Sequence, residues 1–315
     1  MPRESSVREG MSLRGLLRPA CPGRFLSGAN SATALSPQTA SAHPGIRSIP
    51  TQTDPVCTCR RPPTKGLIAP NYQLPLTMLL PTPAGSGFDT TRPGTPQSCW
   101  DTLDPIPWQP KERELIVVAP HPDDETLGAG GLIHYYAQRQ LRITLVSVTD
   151  GEAACPEVED LAHLRQCELR HALRTLTPQH IEIIRLGLPD GRVEQSRTAL
   201  AEALNTLVSQ HCLLAGPFEW DGHTDHNATG AVTRQIALKR GITRAEYPIW
   251  AWHQATPGIF SGRPIVGLPL SPEARAAKQN AIQCHTSQLR ERPGGPIVPP
   301  HVLTYFDRPY EVFLL

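Results

Sequence analysis

Leu115-Ile-Val-Val-Ala119, followed at once by Pro120-His-Pro-Asp-Asp-Glu-Thr-Leu-Gly128, decides the fold of this chain. The first five residues are apolar, mostly β-branched and preceded by charge, as in a strand buried on both faces of a parallel sheet. Directly after them stand one imidazole and three carboxylates, His121, Asp123, Asp124 and Glu125. Open α/β sheets collect their ligands at the carboxyl ends of strands, so the position matters as much as the composition. A second cluster, His223-Thr-Asp-His226, precedes another helical pattern far downstream. Imidazole plus carboxylate from one loop and imidazole from another make the three-ligand set of a catalytic zinc site, leaving a fourth position for water. Alone, an Asp-Asp-Glu run would read as helix capping, and His-x-x-His arises by chance. It is their joint placement at strand ends that points to a metal.

Outward from the first motif, strands and helices alternate. Helical spacing covers 132–140, with Gly130-Gly131 read as a tight strand-to-helix turn. A strand at 143–148 follows, then a helix over 158–176, a strand at 181–184, a helix over 198–210 and a strand at 211–214. A helix over 227–240 and a strand from 245 complete the pattern. This alternation predicts an α/β fold, a mainly parallel, Rossmann-like layered sheet with helices on both faces. A dinucleotide site is disfavoured, because Gly128-x-Gly130-Gly131 is not Gly-x-Gly-x-x-Gly and charged side chains stand where a pyrophosphate needs bare amides.

Composition divides the chain. Eighteen of the 34 prolines lie in the first 110 residues, a stretch also rich in Ser, Thr, Gly and Arg with no sustained apolar period. Residues 1–110 are therefore expected to be a disordered leader, and 111–315 the folded domain. Arg-rich and acid-poor up to Arg60, the leader resembles a transit peptide in composition, but its prolines oppose the amphipathic helix such a peptide needs. A functional linker is a further reading, and a start codon set too early, with Met11 or Met78 the true start, is the favoured one. A net charge of +1 gives no basic field, so no nucleic-acid partner is implied. No run approaches the ~18 apolar residues of a membrane span. The eight cysteines show no framework, as in a reduced, cytoplasmic protein.

The first motif, with the Leu-Gly-x-Gly-Gly131 that follows it, resembles the signature of the LmbE-like (PIG-L-type) zinc deacetylases. Leu164-Arg165-x-x-Glu168, Leu188-Pro-Asp-Gly191, His223-Thr-Asp-His226 (Thr replacing a usual Pro), Tyr247-x-x-Trp250 and Lys278-x-x-Ala281-x-x-x-His285-x-Ser-Gln288 resemble further elements of that family. The resemblance implies a zinc-dependent hydrolase that removes an N-acetyl or N-acyl group from an amino sugar or glycoconjugate. A thiol-conjugate amidase, a natural-product deacylase and, more remotely, a metal-binding pseudoenzyme are the alternatives, and a homo-oligomer is left open.

By position in the motifs, the implied ligands are His121, Asp124 and His226, of Zn2+ or of Fe2+, Co2+ or Mn2+. Asp123 is then the general base, and His223 a donor to the oxyanion, with Asp225 orienting its imidazole. Spacing alone also allows His223 as ligand and His226 as helper. Arg165 and Asp190 are the substrate-side candidates, since a guanidinium and a strand-end carboxylate suit sugar hydroxyls. For Arg165 the competing reading is an ion pair with Glu168. Glu125 is expected to cap the helix, and Lys278 and His285 to be structural.

Overall fold

The computed structural model describes residues 93–315. The strands are β1 Ile106–Pro107, β2 Glu114–Ala119, β3 Arg142–Ser147, β4 Glu182–Arg185, β5 Cys212–Pro217, β6 Arg244–Tyr247, β7 Ile265–Pro269 and β8 Tyr310–Leu314. They form one sheet in the order β1-β7-β8-β6-β5-β2-β3-β4. β4, β3, β2, β5 and β6 are mutually parallel, while β8 runs antiparallel to both β6 and β7. The helices are α1 Gln97–Trp100, α2 Asp124–Gln138, α3 Leu161–Leu176, α4 Arg197–Leu207, α5 Thr224–Arg240, α6 Ala251–Gln254, α7 Pro272–Ile282, α8 Thr286–Leu289 and α9 Pro300–Leu303.

The pleat of β2 explains why its run is apolar throughout. Leu115, Val117 and Ala119 pack on one face with Leu132, Ile133 and Tyr136 of α2 and Leu169 and Leu173 of α3. Ile116 and Val118 turn to the other face, against Leu200 and Leu204 of α4 and Val232 and Ile236 of α5. Each such side chain contributes about 1.5–3 kcal/mol by leaving water. With both faces covered, strict alternation is lost, which is why length and β-branching identify the strand.

β2 has β3 on one side and β5 on the other. The chain leaves β2 towards β3 and β4, then returns to build β5 and β6 on the opposite flank. β2 and β5 thus bracket the point where the winding reverses, and their carboxyl ends open on a shared crevice.

Two expectations are corrected here. Residues 93–110, placed in the leader, belong to the fold. Trp100 is 1% exposed, meets Trp252 edge-to-face at 4.9 Å and donates its indole N–H to Trp252 O at 2.8 Å. β1 pairs with β7 at the sheet margin, where prolines are tolerated. Expectations for residues 1–92 lie outside the described residues. Gly130-Gly131 is not a turn either, since α2 begins at Asp124 and runs through both glycines with a kink at Ala129 (φ −137°). The N–H groups of Gly131 and Leu132 beyond the kink donate to the carboxylate of Glu311 on β8, at 2.6 and 2.8 Å. Lys278 of α7 pairs with Glu311 at 2.6 Å. Gly128 has a packing reason, since a Cβ there would lie 2.2 Å from the ring of Tyr247. Among the described residues no helix is long and apolar enough to cross a membrane.

Candidate active site

Pro120–Asp123 link β2 to α2, and the loop after β5 leads into α5, so both polar clusters face the crevice between β2 and β5. His121 Nδ1 lies 3.3 Å from Asp124 Oδ2 and 3.2 Å from His226 Nε2, and His226 Nε2 lies 3.2 Å from Asp124 Oδ2. A tetrahedral ion with bonds of about 2.0–2.1 Å separates its ligand atoms by roughly 3.3 Å. The three donors therefore fit a single small divalent cation, and their mixed N/O character suits zinc.

Each imidazole is fixed through its distal nitrogen. His226 Nδ1 meets Asp221 Oδ2 at 2.8 Å, and the Asp221 carboxylate accepts from the backbone N–H groups of Ile249, Trp250 and Ala251 at 2.8–3.0 Å. His121 Nε2 lies 3.2 Å from both Asp225 Oδ2 and Asp190 Oδ1. Carboxylates behind the histidines orient the rings and raise their basicity. Burial lowers the proton affinity of His226, but the charges of Asp124 and Asp221 and the bonds to them outweigh it and lift its pKa to about 9. Burial likewise opposes protonation of His121, yet its bonds to Asp124, Asp190 and Asp225 hold it well above the usual histidine range. An entering cation must displace these protons.

Asp123 caps α2 with φ 151° and ψ −29°, a backbone conformation that L-residues rarely adopt. Such a residue costs of order 1–3 kcal/mol and persists only where its surroundings over-determine it. Burial raises its carboxyl to about 6, opposed by the Arg165 guanidinium and reinforced by the charge of Asp124. His223 caps α5, its Nδ1 accepting from Asp225 N at 3.1 Å. That bond leaves the proton of the neutral ring on Nε2. Burial, then the neighbouring His226 and His121, hold the ring well below the usual histidine range, so it is neutral at neutral pH. His121, His223 and Asp225 also come within ligand reach of one another.

Three expected contacts differ. Arg165 is 3% exposed and turns inward to Asp123 Oδ1 (3.2 Å) and Pro122 O (2.8 Å). It does not pair with Glu168, whose carboxylate accepts from Thr286 Oγ1, Ser287 N and Ser287 Oγ at 2.6–2.7 Å. The Asp225 carboxylate, expected on His223, accepts from Gly191 N (2.7 Å) and Val193 N (3.1 Å) and faces His121. Asp190 is likewise engaged, by His121 and by Ala153 N at 2.8 Å. Tyr247, Trp250 and Trp252 are all buried in the core. Glu125 accepts from Asp123 N at 3.1 Å, in keeping with a capping role, and its other oxygen lies 3.5 Å from His285 Nε2. Asp221 and His285 were missed as site neighbours. An acid five positions before a candidate ligand, in the loop leaving a strand, was the available signal for Asp221.

Residues 116–237 match the family model described as PIG-L, GlcNAc-PI de-N-acetylase. A probable N-acetyl-alpha-D-glucosaminyl L-malate deacetylase 2 of Bacillus anthracis is 30% identical over 194 residues, covering 56% of this chain and 82% of that protein. A 1D-myo-inositol 2-acetamido-2-deoxy-alpha-D-glucopyranoside deacetylase 2 of Saccharopolyspora erythraea is 34% identical over 103 residues, of which this chain spans only 30% of the relative's length. The crystal structure of an antimicrobial reagent pseudoaglycone deacetylase superposes with a TM-score of 0.52 at 20% identity, over 65% of this chain and 97% of that one, which establishes the shared fold. With the two polar clusters at the switch point of that fold and the family's sequence running through both, the chain belongs to the PIG-L (LmbE-like) de-N-acetylase family.

Proposed function

We propose that this protein is a metal-dependent hydrolase that removes an N-acetyl group from an amino sugar or glycoconjugate. The observation that carries this reading is Asp123, a buried carboxylate outside the three-donor cluster yet adjacent to it in sequence and space. A simple metal binder has no need of that extra acid. A divalent ion held by His121, Asp124 and His226, zinc being the expected one, supplies Lewis-acid activation of water and of the amide carbonyl.

The remaining chemistry belongs to the chain. Asp123, ionised above about pH 6, takes one proton from water as the water oxygen bonds to the carbonyl carbon. The neutral His223 presents Nε2–H to the oxygen on which negative charge develops. When the C–N bond breaks, Asp123 delivers the proton to the departing nitrogen, giving acetic acid and the free amine, and the acid's remaining proton then passes to the amine to leave acetate and an ammonium group. The convergence of His226, rather than His223, with His121 and Asp124 supports His226 as the ligand and His223 as the donor. All five described cysteines are free thiols, which supports a reducing, cytoplasmic setting.

The test is acetate release from a panel of N-acetylglucosamine conjugates, free, inositol-linked and lipid-linked, by the zinc-loaded protein. Release from at least one of them, lost in Asp123→Ala, is the expected result. Cleavage of thiol-conjugate amides alone would replace the deacetylase reading with the amidase one.

A further inference from the structure

We propose that a cleft beside β8, into which Arg308 projects, is a binding site for a small monocarboxylate, separate from the crevice in which hydrolysis is placed. Arg308 stands two residues before β8 and is 8% exposed. Among the described residues its guanidinium forms no ion pair. Its Nη2 donates to Gln97 Oε1 at a long 3.4 Å, and the acid on that side, Asp101, accepts instead from Gln97 Nε2 at 3.3 Å. Burial pulls the guanidinium below the usual arginine range, and the charge of Asp101 offsets this only in part. Charged side chains are seldom buried without a partner, because leaving water costs more than packing returns. An anion in the cleft supplies the partner that the described chain does not.

Geometry and charge select the class of anion. Arg308 lies over the ring of Trp252, 4.1 Å from its centroid, so the indole covers one face of the guanidinium. The N–H groups point outward in the guanidinium plane, the fork that a planar carboxylate meets with two parallel bonds. Lys278 and Glu311 line the same cleft, but they cancel each other in an ion pair of 2.6 Å. One net positive charge is left, which matches a monoanion better than a phosphate dianion. The rings of Phe306 and Tyr310 form apolar walls that suit a short hydrocarbon substituent. The cleft encloses about 270 Å³, part of it open to solvent, below the ~300–1,000 Å³ typical of sites for drug-sized ligands. None of His121, Asp123, Asp124, His223 and His226 lines it, so the site stands apart from the deacetylase reading. The two sites share only α2, which gives Leu127 and Gly128 to the wall of the cleft.

The experiment titrates the full-length protein with carbon-13-labelled acetate at constant ionic strength held by chloride, and reads binding from the broadening of the acetate resonance. The wild type is compared with Arg308→Gln, Arg308→Lys and His226→Ala, the last separating the cleft from acetate bound at the metal donors. Circular dichroism checks that each variant is folded. Saturable broadening is expected in the wild type and, within about twofold in half-saturation, in His226→Ala. Arg308→Gln should bind about tenfold or more weakly, since it loses a charge-assisted pair. Arg308→Lys should also bind more weakly, because it keeps the charge without the fork. A crystal of the wild type grown with acetate should show the carboxylate on the Arg308 guanidinium. Half-saturation unchanged in Arg308→Gln, no saturation in the wild type, or a loss confined to His226→Ala would each overturn the site. Inorganic phosphate that displaces acetate at lower concentration would overturn its assignment to carboxylates. Where neither Arg308 variant folds, the crystal decides: acetate beside Arg308 upholds the site and its absence there removes it. None of these readouts depends on hydrolysis, so failure of the deacetylase reading would leave the result intact.

Discussion

His226 is wholly buried, and behind it stands Asp221, held by three consecutive backbone N–H groups. His121 is 8% exposed, and behind it stand two carboxylates, Asp225 on the α5 side and Asp190 on the loop after β4. Asp190 in turn engages the loop after β3, accepting from Ala153 N and donating its own N–H to Glu152. One candidate ligand, His226, is thus fixed by a single, over-determined acceptor. The other is served by two acceptors, one of which belongs to the rim of the crevice. The difference predicts a more firmly held imidazole on the β5 side than on the β2 side.

The largest effect should come from removing a ligand on either side. Elemental analysis should find about one equivalent of metal in the wild type, and Asp124→Ala and His226→Ala should each lose it, and hydrolysis with it. Full metal content in both would dissolve the cluster. Next, Asp123→Asn should lower kcat by about 10²–10⁴-fold while the metal stays bound.

The comparison itself is tested by a pair of isosteric changes. In Asp221→Asn, the new amide turns a donor either to His226 Nδ1–H or to the backbone N–H groups, so metal affinity should fall about 10–100-fold. Asp190→Asn should cost less than about fivefold, because Asp225 still accepts from His121. Equal losses in competitive chelator titrations would mean that the two sides are equally rigid.

A further effect is that of pH. With Asp123 as the proposed base and burial raising its carboxyl to about 6, kcat/KM should be level above that value and fall about tenfold per unit below it. Metal uptake adds a separate dependence. The raised proton affinity of His226, about 9 without an ion, means that protons compete for its nitrogen at neutral pH. Apparent affinity should therefore rise with pH, and calorimetry should find protons released on binding.

Much of this was legible in the chain. β2 to β6 were signalled by apolar runs between helical periods, and the donor clusters by their joint placement at strand ends. What escaped depends on contacts distant in sequence. β7 and β8 carry no turn or period that tells strand from loop, and Trp100 reads as one aromatic in a proline-rich tract until Trp252 and Phe260 close on it. Arg165 was visible as a charge on a helix, but its direction depends on Pro122 and Gly151, which no helical spacing reports. Asp221 lies in a loop, where the distance to His226 follows no repeat.

The break in α2 has a consequence for the order of assembly. The helix that presents Asp124 has its two exposed N–H groups closed by Glu311, which is 180 positions later than Gly131. During synthesis, β2, β5 and all three metal donors emerge from the ribosome well before that carboxylate does. Until it arrives with its Lys278 partner, the lower half of α2 has bare donors facing an unfinished core. The nascent chain thus holds the candidate donors before it holds the carboxylate that closes the helix presenting one of them.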